Sequence, residues 1–154
     1  MTAPGAMPLR RRPATEADLP FLLALRRESM GPHLASAGLH GSDEDHLVRV
    51  RHRFDCAEIL MLDGQPVGLL KLLREPGRWK ILQVQLAENV RGRGIGRRLL
   101  KDLLADATHA GATVDLSVLK ANPAKRLYEQ LGFCVVGEDA HEFHMTNEAP
   151  GRLT

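Results

Sequence analysis

The chain has 154 residues, of which 44% are apolar and 26% charged, and its formal net charge is +2. This length and composition predict one soluble globular domain over residues 1–154, and so small a net charge disfavours a protein that binds nucleic acid through overall basicity. No apolar run is long enough to cross a membrane and the first residues lack a signal-peptide core, so we expect a cytoplasmic protein without a membrane partner.

Neither the chain ends nor the cysteines predict a functional site. Residues 1–7 and 147–154 are small or polar, and we expect both ends to be flexible. Cys56 and Cys134 are far apart and match no metal-ligand spacing, so the sequence predicts reduced thiols and no metal.

A strand and a helix are predicted first. Residues 9–12 favour a short edge strand. Thr15 is of the residue type that caps helices and is followed by acidic residues, which predicts a helix to about Met30. Gly31 and Pro32 disfavour a helix interior, so we expect the helix to end there.

A loop and a second helix should follow, before a hairpin. Residues 33–41 contain two glycines and predict the loop. Ser42 precedes three acidic residues, a pattern typical of a capped helix, which we place from there to about residue 54. Residues 57–62 and 66–73 predict two strands, because the Asp63-Gly64 pair between them is a strong hairpin signal.

The next stretch predicts a strand, a glycine-rich loop and a helix. Residues 79–86 form the strand, in which Leu82, Val84 and Leu86 alternate with glutamines. From Ile95 onward the apolar residues recur at helical spacing instead. The loop that ends at this helix start consists of Arg91, Gly92, Arg93, Gly94, Ile95 and Gly96.

This loop has the properties of a pyrophosphate cradle. Glycines let the backbone approach a ligand closely, and the first amides of a helix have no intrahelical partners and favour an anion. Arg97 and Arg98 add positive charge at the helix start. The loop lacks the Gly-Lys-Ser/Thr ending of a Walker motif and the third glycine of the dinucleotide fingerprint. An ordinary strand-to-helix turn with a solvated basic edge is the alternative.

The last third predicts a second strand-helix unit and a closing pair of strands. Residues 113–119 are apolar and β-branched, as in a buried strand. Asn122 and Pro123 suit the start of a helix that ends at Gly132. Residues 133–136 and 141–145 then predict two more strands. With a parallel strand pair in the middle, this order predicts an α/β protein with a mixed sheet and helices on both faces.

Two of these stretches resemble motifs of the GNAT superfamily of N-acetyltransferases. Residues 91–96, RGRGIG, match that family's R/Q-x-x-G-x-G/A signature for acetyl-CoA. Residues 122–133, NPAKRLYEQLGF, are similar to its second motif, a helix that bears a tyrosine and is closed by Leu-Gly-Phe. The resemblance implies a central sheet that is mixed and mostly antiparallel, with a parallel strand pair at the acetyl-CoA site.

The resemblance also implies which residues hold acetyl-CoA, the co-substrate. Its pantetheine arm would lie between strands 82–86 and 113–119, which are splayed in the family, and its pyrophosphate would lie at the loop and Arg97. The backbone groups that would contact the acetyl end and polarise its carbonyl belong to Val84, Gln85 and Leu86.

Tyr128 is the residue that the resemblance implies as catalytic. It would be the general acid that protonates the departing CoA thiolate, since a phenol remains a proton donor at neutral pH. A tyrosine that only packs on an amphipathic helix is the alternative. Asn122 has two interpretations as well, because it lies six residues before Tyr128 where many family members have seven. It is either a helix cap or a contact to the cofactor.

A general base is not identifiable from the sequence. The candidates are Glu28, His33, His40, Asp43, Glu142 and His144. Several members of the family work through water alone, so the chain need not contain a base.

The function predicted is transfer of acetyl from acetyl-CoA directly to a primary amine of a small molecule, peptide or protein. The alternative is a non-catalytic module of the same fold that binds or senses acyl-CoA. Nucleic-acid binding through residues 91–101 is disfavoured, because the basic cluster is short and aromatic residues are scarce. The acceptor amine is not predicted, and a homodimer is left open.

Overall fold

The structure, a computed structural model, describes residues 9–36 and 42–148. Its helices and strands are β1 (Leu9–Pro13), α1 (Leu19–Ser36), α2 (Asp43–Arg51), β2 (Ala57–Leu62), β3 (Gln65–Glu75), β4 (Arg78–Leu86), α3 (Ile95–His109), β5 (Thr113–Leu119), α4 (Ala124–Gln130), β6 (Cys134–Glu138) and β7 (Glu142–Asn147). Of the ends expected to be flexible, residues 1–7 and 149–154 lie outside the described residues.

Seven strands form one sheet in the order β1-β2-β3-β4-β5-β7-β6. The pairs β1–β2, β2–β3, β5–β7 and β6–β7 are antiparallel, whereas β4 and β5 run parallel. The parallel ladder runs from Arg78 opposite Thr113 to Ile81 opposite Leu116. The predicted α/β class with a mixed, mostly antiparallel sheet is therefore confirmed.

The chain divides into two compact units. The first contains the described residues up to Lys71 and the segment Gln83–Ile95. The second contains Leu72–Leu82 and the described residues from Gly96 onward. The single domain expected over residues 1–154 stays a prediction.

The core of the first unit lies between α1 and the strands β2 and β3. Leu22 and Leu25 of α1 are each 2% exposed, and they pack in one cluster with Ile59 and Leu69 of the strands. The two strands meet in the predicted hairpin, where Asp63 (φ 52°) and Gly64 (φ 75°) are both left-handed. Two positive φ angles in a two-residue loop suit the right-handed twist of a hairpin, so this prediction is confirmed.

Helix α1 is longer than predicted. Thr15 caps a 3₁₀ turn, Glu16–Asp18, and α1 then continues through Gly31 and Pro32 to Ser36. The predicted end at Gly31 and the predicted start of the loop at residue 33 were wrong. A proline keeps a helical φ, removes one hydrogen bond and crowds the carbonyl four residues earlier, and a preceding glycine has no Cβ to clash with the proline ring. The rest of that loop, residues 37–41, lies outside the described residues.

Helix α2 begins as predicted and ends earlier. The Ser42 hydroxyl accepts a hydrogen bond from the Asp45 N–H at 3.1 Å, which is the expected cap. The helix ends at Arg51, three residues before the predicted position. Its last carbonyls, those of Arg49, Val50 and His52, accept hydrogen bonds from the Lys71 ammonium at 3.3, 3.1 and 2.5 Å. Lys71 is only 2% exposed, so a buried lysine of β3 stabilises the end of α2.

The Asp18 carboxylate, just before α1, accepts several short hydrogen bonds. The Arg12 guanidinium donates to both of its carboxylate oxygens, at 2.8 and 2.7 Å, and the Thr15 N–H donates at 2.7 Å. These donors favour the ionised carboxylate and lower the pKa of Asp18 to about 2, with Arg12 as the largest cause.

We expect the stability that Asp18 contributes to be present above its unfolded pKa of about 4 and to be lost as the pH falls through 2. Because Arg12 is 41% exposed, the loss is discounted to roughly 1–2 kcal/mol. Urea unfolding at pH 5, 3 and 2 measures it. In the Asp18→Asn protein this part of the acid dependence should be missing, and an unchanged dependence would contradict the assignment.

The second unit closes with α3, β5 and the β6–β7 pair. Gly111 (φ 69°) follows α3 in the left-handed conformation expected of a helix C-cap. β5 occupies the predicted residues 113–119; Val114, Leu116 and Val118 are buried, whereas Asp115 and Ser117 between them are half-exposed. The closing strands differ in their ends from the prediction. In particular β7 includes Asn147, whose amide donates to the Leu131 carbonyl at 2.9 Å.

Candidate active site

In the first unit, β4 approaches β3 closely where the cofactor contacts were predicted. A Cβ atom on Gly68 of β3 would collide with the Gln85 carbonyl oxygen. Only glycine fits there, and no local pattern in the sequence indicated this. Beyond the strand, the Ala87 N–H donates to the Val67 carbonyl at 2.8 Å. Val84, Gln85 and Leu86 are half-buried.

A 3₁₀ turn, Glu88–Val90, connects β4 to the glycine-rich loop. Val90 is 3% exposed and anchors the turn in the core. The Arg91 Nε donates to the Leu86 carbonyl at 3.1 Å. A residue predicted to bind the pyrophosphate is thus hydrogen-bonded to the last residue of the strand predicted to bind the pantetheine arm.

The loop itself is exposed between two buried anchors, Val90 and Ile95. Gly92 (φ 79°) and Gly94 (φ 76°) are both left-handed, and no other side chain would meet a Cβ at either position within 4 Å. Residues with side chains rarely adopt this φ. The glycines are therefore required by the backbone conformation, and they leave the face of the loop open to a ligand.

Helix α3 starts at Ile95, and its first turn contains no acidic residue. The positive end of the helix dipole is therefore unopposed by acidic side chains of that turn. Gly96, Arg97 and Arg98 are half-exposed. In the second unit, Arg97 Nη2 donates to Gln130 Oε1 of α4 at 2.5 Å. This contact joins the start of α3 to the helix that carries Tyr128.

Tyr128 is half-buried on α4. Its ring packs edge-on against Phe133, with centroids 5.8 Å apart and planes at 64°. Burial disfavours the charged phenolate and raises the pKa of Tyr128 above its ordinary value of 10. The phenol therefore keeps its proton at neutral pH, as a general acid must.

Asn122 caps α4. Its Oδ1 accepts the Ala124 N–H at 2.9 Å, and Pro123 already has helical angles (φ −64°, ψ −13°). By these angles Pro123 is the first helical residue and Asn122 the capping residue, as the sequence predicted. A contact between Asn122 and a cofactor stays a prediction.

The candidates for a general base have different surroundings. His144 has both ring nitrogens occupied, because Nδ1 contacts Ser117 Oγ at 2.8 Å and Nε2 contacts Asp139 Oδ2 at 3.2 Å. The carboxylate of Glu28 accepts the Glu88 N–H at 2.5 Å. Glu142 is half-exposed on β7. His40 and the side chains of His33 and Asp43 lie outside the described part.

Two properties of the described residues bear on other kinds of site. Among them, no group of three or more His, Cys, Asp or Glu side chains is placed to hold a metal ion. None of their helices has the length and apolar character needed to span a bilayer.

Solved structures with this fold include several acetyltransferases. The PaiA N-acetyltransferase from Thermoplasma acidophilum, solved in complex with coenzyme A, is 22% identical over 92% of this chain and 99% of that one, with a TM-score of 0.68. An acetyltransferase from Thermus thermophilus is 24% identical over 90% and 96%, with a TM-score of 0.70. At these identities, the structural similarity shows a shared fold and no more.

A third similar structure is a larger protein. N-acetylglutamate synthase from Neisseria gonorrhoeae, solved with coenzyme A and N-acetyl-glutamate, is 20% identical over 92% of this chain and 35% of that one, with a TM-score of 0.64. No curated protein sequence matches the chain significantly. A model of the acetyltransferase (GNAT) family, however, matches residues 22–133, well over half of the chain and including both motifs up to Phe133. The chain therefore belongs to the GNAT acetyltransferase family.

Proposed function

We propose that the protein transfers the acetyl group of acetyl-CoA directly to a primary amine. The observation that carries this proposal is the open, glycine-rich loop before α3. Gly92 and Gly94 are held at positive φ and leave the backbone unobstructed, and the following helix turn carries arginines and no acid. Such a helix start favours a pyrophosphate, which is part of coenzyme A.

The cofactor would be held along one continuous stretch of chain. The backbone of Val84, Gln85 and Leu86 would pair with the amides of the pantetheine arm. The pyrophosphate would be bound by the loop and the start of α3, comprising Arg91, Gly92, Arg93, Gly94, Ile95, Gly96 and Arg97. Asn122 would contact the cofactor only if its amide could do so while capping α4.

In the reaction, the neutral amine of the acceptor attacks the thioester carbonyl carbon. A backbone N–H of β4 would stabilise the oxyanion that forms. The tetrahedral intermediate then collapses as the carbon–sulfur bond breaks, and Tyr128 donates its phenolic proton to the sulfur. The amine loses one proton, to water or to a base, and solvent returns a proton to the Tyr128 phenolate, so that the products are the acetylated amine and CoA and the enzyme is restored. The raised pKa of Tyr128 supports its role as donor.

Two of the similar solved structures support the choice of cofactor and of acceptor class. One is described as an N-acetyltransferase in complex with coenzyme A, and another was solved with coenzyme A and an N-acetylated amino acid. Both transfers end on nitrogen, which favours an amine over an alcohol or thiol for this chain.

The test is a screen of amine acceptors with acetyl-CoA. Small amines, amino acids, antibiotics and peptides with free N-termini are incubated with the protein, and release of the CoA thiol is followed. We expect at least one class to release CoA in proportion to the protein. If acetyl-CoA binds but no acceptor releases CoA, the non-catalytic acyl-CoA-binding module becomes the better account.

Arg91→Ala and Arg97→Ala should weaken CoA binding about three- to tenfold and leave kcat at saturating acetyl-CoA nearly unchanged. Both arginines would contact the end of the cofactor that does not react, so they contribute to binding and not to transition-state charge. Kd and kcat are measured for both proteins. Arg126→Ala, an exposed arginine of α4, is the matched control. A large fall in kcat with unchanged affinity would contradict this placement.

A further inference from the structure

The turn that leads into the glycine-rich loop has no cap of its own. The residue before it is Ala87, whose side chain cannot accept a hydrogen bond from the first amides of the turn. A helical turn without a capping side chain leaves its first N–H groups without partners. Here the Glu88 N–H finds one elsewhere in the first unit.

That partner is Glu28, 60 residues earlier in the chain. Its Oε1 accepts the Glu88 N–H at 2.5 Å. The sequence separation makes this a tertiary contact and not a local turn. A carboxylate that accepts a backbone N–H at this distance forms a charge-assisted hydrogen bond, which is stronger than one between neutral groups.

Helix α1 holds Glu28 in place. Glu28 lies three residues after Leu25, and Leu25 three after Leu22, so each is a neighbour of the next on the helix surface. The two leucines are each 2% exposed in the core of the first unit, and Ala87 packs against that same cluster. The helix and the turn are therefore attached to one core, and the Glu28–Glu88 hydrogen bond joins them at its edge.

We propose that Glu28 is a positioning residue for the acetyl-CoA loop, acting through its hydrogen bond to the Glu88 N–H, and not the general base. This inference rests on the proposed function, since it gives a role to the loop Arg91–Gly96 that begins right after the turn. The carboxylate fixes where the loop starts, while Val90 and Ile95 fix its two ends in the core.

The two roles of Glu28 predict opposite results for the glutamine variant. An amide oxygen still accepts the Glu88 N–H, so Glu28→Gln should bind CoA within about twofold of wild type and keep kcat. Removal of the acceptor in Glu28→Ala should weaken CoA binding by about five- to tenfold, with kcat at saturation within about threefold. A general base would give the reverse, since glutamine cannot take a proton: kcat would fall about 100-fold or more with unchanged CoA affinity.

The experiment measures the Kd for CoA by calorimetry, and kcat against pH with any acceptor found, for wild type, Glu28→Gln and Glu28→Ala. Glu75→Ala, which removes an exposed carboxylate at the end of β3, is the control. Thermal unfolding without CoA identifies any variant that does not fold. If Glu28→Ala does not fold, kcat of Glu28→Gln decides between the positioning role and the general base. If wild type fails to bind CoA, the proposed function is wrong. If wild type binds and Glu28→Ala binds equally well, or if Glu28→Gln loses kcat, the positioning role is wrong.

Discussion

Tyr128→Phe should lower kcat by about 100-fold while CoA binding and thermal unfolding change little. The ring would still pack edge-on against Phe133, because the contact involves the ring and not the hydroxyl. The variant loses only the proton donor for the departing thiolate. General acid catalysis contributes typically ~10² to 10⁴-fold, and a thiolate is already a fair leaving group, so the low end of this range is expected.

The measurement is kcat against pH for both proteins at saturating substrates. The deficit of the phenylalanine variant should shrink at low pH, where solvent supplies the proton more readily. In wild type, burial raises the pKa of Tyr128 above 10, so the neutral phenol persists to higher pH than in a free tyrosine. Any loss of activity through ionisation of Tyr128 should therefore begin at a higher pH than the ionisation of a free tyrosine would give. Wild-type turnover in a folded Tyr128→Phe protein would mean that the residue only packs.

Gly94→Asp should remove most of the stabilisation of the protein by acetyl-CoA at concentrations near the wild-type Kd. The aspartate would place a negative charge where the pyrophosphate is proposed to bind and would force a side chain into a left-handed residue at φ 76°. A repulsion of roughly 2 kcal/mol corresponds to about a 30-fold weaker Kd. The melting temperature with and without acetyl-CoA, and the Kd from calorimetry, measure the effect.

The chain offers a matched control for this variant. Gly77, in the turn after β3, has the same φ of 76° and equally open surroundings. Gly77→Asp should therefore carry the same backbone strain and a similar loss of intrinsic stability, yet should bind CoA as wild type does. Equal loss of CoA binding in both variants would show that the effect comes through the fold. Undiminished binding in Gly94→Asp would remove the basis for the pyrophosphate site.

The sequence predicted the elements whose signals are local. The β2–β3 hairpin was predicted because Asp63 and Gly64 must both adopt positive φ, and β5 was predicted to the residue because its apolar run is bounded by turns. The loop at Gly92 and Gly94 was also predicted from a local signal, since glycine marks a backbone conformation that other residues avoid. Asn122 was likewise identified as a cap from its neighbours alone.

Features that depend on distant residues were not predictable. Helix α1 continues through Gly31 and Pro32, although local propensity favoured an end there. Lys71 is buried because three carbonyls at the end of α2 surround its ammonium, which strand alternation does not reveal. The sequence named Glu28 only as one of six candidate bases, and its partner lies 60 residues away.

The acceptor follows the same rule. No motif in the sequence indicates which residues would bind the acceptor. The family match predicts the cofactor chemistry because that chemistry is held by two short motifs. It does not extend to the identity of the amine.

The most direct test of acetyl transfer is whether CoA release requires both substrates and yields an acetylated amine. Purified protein is incubated with acetyl-CoA and each acceptor, free thiol is followed over time, and the product is identified by mass spectrometry, with Gly94→Asp as the negative control. We predict thiol release that depends on the acceptor and saturates in acetyl-CoA, an equal amount of N-acetylated product, and much less of both from the variant at the same acetyl-CoA concentration, held below saturation. Thiol release that is independent of every acceptor, or acetyl-CoA binding without any product, would contradict the proposed activity.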